Sequence, residues 1–138
     1  MEPMTILVVD PQPTGRTALA KLLRADGHLV IATGNWTTAQ QLASNERFDV
    51  LITELSHLQR HDRMVMRRLS DRCETLGILL TAHDEQLARG WKQAGFSHYL
   101  YKPVGYDRIR SLIARHSADR SVAFEEATLI EQRELCHS

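Results

Sequence analysis

The chain predicts an α/β domain built on a doubly wound parallel sheet, and two features of its 138 residues carry that prediction. Short apolar runs of strand length alternate with longer stretches of helical periodicity, which is the pattern of repeated βαβ units. Four of those runs lead into a polar residue, in chain order Asp10, Glu54, Thr81 and Lys102. A parallel sheet opens at the carboxyl ends of its strands onto one crevice, so these four side chains are expected to meet there.

Each element has its own signal. Ile6-Leu7-Val8-Val9 reads as a buried strand closed by Asp10. Pro13 suits the first turn of a helix whose inward face carries Leu19, Leu22 and Leu23, and Gly27 is placed to end it. A strand over about 28–32 and a helix near 37–44 follow. Phe48-Asp49-Val50-Leu51-Ile52-Thr53-Glu54 is the third strand, and the third helix is expected over about 63–71. The fourth strand spans 76–81 and leads to a helix near 85–94. The fifth strand and helix take 97–101 and about 106–116. From Ala118 the chain turns polar, while Ala123, Phe124, Ala127, Ile130 and Leu135 keep a ragged helical spacing. The expected organisation is one domain over 1–117 and a C-terminal extension over 118–138 that is helical or a linker. A sixth helix, a linker to a further domain and a dimerisation arm all fit that spacing.

Composition narrows the function classes. A hydrophobic content of 43% suffices for a single core at this length. Seventeen basic residues balance seventeen acidic ones, so no overall field draws nucleic acid or an anionic membrane, and proteins are the expected partners. No apolar run approaches the ~20 residues of a membrane span, and Met1-Glu2-Pro3-Met4 lacks the features of a secretory leader. A cytoplasmic location with reduced Cys73 and Cys136 is expected. The basic stretch from Arg60 to Arg72 is diluted by Asp62 and Asp71 and has no interleaved aromatics, so it reads as a solvated helix face rather than a nucleic-acid patch. His57 and His61 are spaced for a metal on a helix, but no third ligand accompanies them.

Asp10, Glu54, Thr81 and Lys102, together with Thr81-Ala82 and Lys102-Pro103, resemble the receiver domain of bacterial two-component response regulators. The resemblance covers roughly residues 5–116, which makes the domain expected over 1–117 receiver-like, and is most specific at Ile6-Leu7-Val8-Val9-Asp10 and from Ala94 to Pro103. Within the family, Leu80-Thr81-Ala82-His83 and Gly27-His28 look most like receivers of hybrid sensor kinases. The resemblance implies a flavodoxin-like (βα)5 sheet of strand order 2-1-3-4-5. It also implies a phosphoacceptor carboxylate at Glu54, a first acidic position at Asp10, and a hydroxyl and a lysine for the phosphoryl oxygens at Thr81 and Lys102. A cis Lys102-Pro103 bond, a switch aromatic at Tyr99, and an interface face around Tyr101 and the fifth helix are implied as well. Expected partners are a histidine kinase, an effector domain, or a second copy meeting the first through the fourth and fifth helices.

The chain departs from the family pattern where the chemistry is most demanding. Glu54 replaces the acceptor aspartate and moves the carboxylate by about one carbon–carbon bond, roughly 1.5 Å. Pro11 replaces the second acid that would hold Mg²⁺, which leaves Asp10 a poor metal anchor, so no cofactor is expected. A misplacement of ~1 Å can cost about 100-fold in rate. The loop after Glu54 also lacks the family's Met-Pro pair and Asp-Gly turn. These departures describe a degenerate receiver, a pseudo-receiver, that is not an enzyme and acts through protein–protein contact. Three readings of the pocket stay open: a switch frozen by a Lys102–Glu54 pair, an ion cluster that only stabilises the fold, and a weak phosphoacceptor of a relay with an unconventional metal site.

Overall fold

The computed structural model describes residues 2–54, 75–81 and 96–129. Its elements are β1 (Thr5–Val9), α1 (Pro13–Ala25), β2 (Leu29–Thr33), α2 (Trp36–Asn45), β3 (Val50–Glu54), β4 (Leu76–Thr81), β5 (His98–Tyr101) and α3 (Tyr106–Leu129). The helices expected over 63–71 and 85–94 lie outside the described residues, as do His57, His61 and the basic stretch from Arg60 to Arg72. The fifth predicted helix is therefore α3.

All five strands are parallel, in the order β2-β1-β3-β4-β5, the flavodoxin-like topology. Alternation along each strand divides the core into two layers. On one face Ile6, Val8, Val50, Ile52, Ile78 and Leu80 pack against Leu23 of α1 and Ile109 and Ile113 of α3. On the other, Leu7, Val9, Leu51 and Leu79 meet Ala39 and Ala43 of α2, with Phe48 and Phe96 closing the layer. β3 and β4 are buried along their whole length, because both faces are covered in a doubly wound sheet.

Local chemistry sets the helix ends. Pro13 occupies the first turn of α1, where its missing N–H costs nothing. Gly27 follows with φ 93°, a left-handed conformation that glycine adopts freely, and its N–H donates to the Arg24 carbonyl. α2 is capped by Asn35, whose Oδ1 accepts from Thr38 N–H at 2.7 Å.

The fifth helix was expected to stop near residue 116 but runs unbroken to Leu129. No glycine or proline interrupts the segment after Tyr106, and polarity by itself does not end a helix. Ser117 is buried, and Arg120 Nη1 lies 2.6 Å from Asp49 Oδ1 at the start of β3, so the helix stays bound to the sheet past residue 117. Among the described residues no helix is long and apolar enough to cross a membrane.

Candidate functional site

Strand register builds the site. Val9 is level with Thr53, so Asp10 and Glu54 leave the sheet side by side; Glu54 is level with Leu80, and Thr81 with Tyr101. Lys102 then follows directly after β5, its backbone N–H held by the Thr81 carbonyl at 2.7 Å. Asp10, Glu54 and Lys102 continue the phase of Val8, Ile52 and Leu100, the layer that α1 and α3 cover. Thr81 continues the phase of Leu79 and is fully buried at the end of β4.

The side chains converge as the register requires. The Lys102 ammonium lies in direct contact with the Glu54 carboxylate and 3.8 Å from Asp10 Oδ2. Glu54 has 1% of its side chain exposed and Lys102 34%, so a buried acid is met by a base that still reaches water. Asp10 is buried, with Oδ1 accepting the Gln12 backbone N–H at 2.9 Å and its carbonyl accepting from Arg16 Nη1 at 2.8 Å. The Lys102-Pro103 bond is cis. Thr81 joins this group through its backbone and its place in the sheet.

Tyr99 is half-buried against the α2-side layer, and Tyr101 is exposed. Their rings meet edge to face with centroids 5.0 Å apart, a geometry favoured by about 0.5–1.5 kcal/mol beyond area burial.

Among the described residues the donors at the site do not make up the set that a divalent metal would use. A hard cation such as Mg²⁺ seeks about six oxygens in near-octahedral array. Pro11 supplies none from its side chain, and the Glu54 carboxylate is engaged by an ammonium rather than left open beside Asp10. What the arrangement offers is a three-membered ion cluster, two carboxylates around one lysine.

Sequence reasoning missed two polar hubs. Asp26, just past α1, accepts from Tyr106 Oη at 2.6 Å and pairs with Arg110 Nε at 3.3 Å. Burial and this hydrogen bond push the Tyr106 hydroxyl well above the usual phenol range. Asp49, before β3, accepts the Thr5 N–H at 2.8 Å with one oxygen and Arg120 with the other. The partners are 80 and 71 residues apart, beyond the reach of local pattern.

A flavodoxin-like sheet that gathers acids and a lysine at the carboxyl ends of β1, β3 and β5 has its charged crevice where doubly wound folds bind their ligands. The chain belongs to the response regulator receiver domain family, whose profile matches residues 6–114. It is 30% identical over 112 residues to protein PilH of Pseudomonas aeruginosa, covering 78% of this chain and 93% of that protein. It is 32% identical over 123 residues to the response regulator MprA of a Mycobacterium species, covering 85% of this chain and 54% of the relative, so it spans about half of that protein. In three dimensions it resembles a response regulator from Thermotoga maritima with a TM-score of 0.71 at 23% identity, covering 83% and 98% of the two chains. It is thus a receiver domain of bacterial two-component signal transduction, a class that interacts with kinases and effector domains and serves signalling rather than catalysis.

Proposed function

We propose that this receiver is a pseudo-receiver: it signals by protein–protein contact in a phosphate-independent conformation and is not phosphorylated in the usual way. The contact of the Lys102 ammonium with the buried Glu54 carboxylate carries the reading. In an active receiver a lysine at this position meets phosphoryl oxygens; here the longer glutamate arm presents oxygens to it without a phosphate, a charge-assisted pair in place of a covalent one. Pro11 removes a metal anchor, so Mg²⁺ has no part in the reading. The partner is a cytoplasmic protein such as a histidine kinase or an effector domain, or a second copy of the domain. The edge-to-face Tyr99–Tyr101 pair lies on the face through which that contact is made. Nucleic acid and membrane are not partners of this domain.

The test is an amide NMR titration with Mg²⁺ and beryllofluoride, a phosphoryl mimic. Spectra are expected to stay unchanged around Asp10, Glu54, Thr81 and Lys102, whereas a Pro11→Asp, Glu54→Asp double variant gains a Mg²⁺-dependent response. Wild-type shifts at those residues that spread to Tyr99 would establish a live phosphoacceptor and overturn the reading.

A further inference from the structure

We infer that the groove between α1 and α3 binds an amphipathic organic cation, a small molecule with an apolar body and one protonated amine. The groove has a volume of about 510 Å³, within the size range of small-molecule sites. Leu19 and Leu22 of α1 face Val104 and Ile109 across it, and Asp10 and Lys102 form its polar end. Leu22 is 46% exposed, so apolar surface at the mouth is open to water.

The sign of the ligand's charge follows from how that polar end is wired. The Lys102 ammonium is in direct contact with Glu54 and pairs with Asp10 Oδ2 through charge alone, since their 3.8 Å separation is too long for a hydrogen bond. Oδ1 of Asp10 is satisfied by the Gln12 N–H, so Oδ2 is the acceptor offered to the groove. The neighbouring position of α1 is Gly15, where a Cβ would stand 3.3 Å from Oδ2, so glycine keeps the approach to that oxygen clear. An anion approaching Lys102 would stand beside the Asp10 and Glu54 carboxylates, two negative charges around one ammonium, and be repelled. A neutral apolar ligand would cover the Asp10 carboxylate without giving it a donor, which is also unfavourable. A protonated amine supplies the donor and the charge together.

This inference rests on the proposed reading in one respect, that Asp10 holds no divalent metal. The experiment is an amide NMR titration of the full chain with 4-phenylbutylamine, set against 4-phenylbutanol and 4-phenylbutyrate. The amine is expected to shift Asp10, Gly15, Leu19, Leu22, Val104 and Ile109, with the alcohol about tenfold weaker. Asp10→Asn is expected to bring the amine down to the alcohol's affinity. Leu22→Lys, a change at a half-exposed site, is expected to weaken the amine while leaving the spectrum folded. Equal binding of amine and alcohol, tighter binding of the butyrate, or a wild-type spectrum in which the amine leaves the groove unmoved would overturn the proposal. Shifts of the same amides on concentrating the protein without probe would assign the groove to a second copy and overturn it too. Mg²⁺ is titrated alone in parallel, so a metal response at Asp10 counts against the pseudo-receiver reading separately from the amine result.

Discussion

Lys102 and Glu54 form an ion pair of unequal burial: the glutamate side chain is 1% exposed and the lysine side chain 34%. They follow from β5 and β3, strands separated by β4, and the pair therefore closes the crevice across the sheet's carboxyl edge. The additional methylene of glutamate extends the acid toward the lysine by roughly one carbon–carbon bond, ~1.5 Å.

Unequal burial predicts unequal loss. Lys102→Ala leaves a buried carboxylate without its cation, whereas Glu54→Gln leaves a lysine that can turn to water. With one partner a third exposed, the cost falls between that of surface and fully buried pairs, about 1–3 kcal/mol for Lys102→Ala and about 1 kcal/mol or less for Glu54→Gln. Urea unfolding of both variants measures the two values. Equal stability of Lys102→Ala and wild type would remove the pair from the list of things holding the crevice closed.

Most of the fold could be read from the chain, because strands buried on both faces announce themselves as continuous apolar runs. Leu76 to Thr81 was located to the residue, and Asp10 and Lys102 were placed at strand ends because polarity changes abruptly there. The end of α3 was misplaced because the rise in polarity after Ala118 was read as a boundary, while a helix needs only the absence of breakers and one buried stripe. The burial of His28 was not legible either. It follows a turn glycine and opens the run expected as the second strand, and nothing in that pattern shows that the N-terminal segment covers it through the Met4 N–H.

Gly27 should tolerate asparagine better than alanine. Its φ of 93° lies where a Cβ is strained, while the space around a Cβ there is empty, so the cost is conformational rather than steric. Gly27→Ala is expected to lose about 1 kcal/mol, and Gly27→Asn about half of that, since asparagine enters the left-handed region more readily. Thermal melts of the two variants decide it. Equal losses would mean that the helix end rearranges.

His28 should make the domain less stable in acid. Its Nδ1 accepts the Met4 N–H at 3.1 Å, which requires an unprotonated nitrogen. Burial lowers its pKa below the ordinary 6.5, with Asp26 partly opposing and the N-terminal ammonium reinforcing the shift. The unfolded chain then binds the proton more readily than the folded one. The stabilising difference is complete above pH 6.5 and is lost as pH falls from there through the folded-state value. His98, lowered by burial and by Arg108 and Arg115, adds to the same slope. His28→Asn keeps an acceptor for Met4 and is expected to flatten the fall of the unfolding midpoint as pH drops below 6.5, leaving the His98 share. An unchanged slope in that variant would assign the titration elsewhere.

Asp49 and Arg120 should couple the far end of α3 to the start of the sheet. Both side chains are only partly exposed, 22% and 32%, and the 2.6 Å contact is well formed, so Arg120→Ala is expected to cost about 1 kcal/mol. Asp49→Ala should cost more, about 2 kcal/mol, because its other oxygen also holds the Thr5 N–H at 2.8 Å and that donor loses its partner. The part of Arg120's contribution that runs through Asp49 is already lost in Asp49→Ala, so the double variant should cost about 1 kcal/mol less than the sum of the two single losses. Chemical unfolding of the four proteins in a double-mutant cycle gives a coupling of about 1 kcal/mol. Strict additivity of the two losses would show that Arg120 acts through contacts other than Asp49 and would remove this latch between the extension and the sheet.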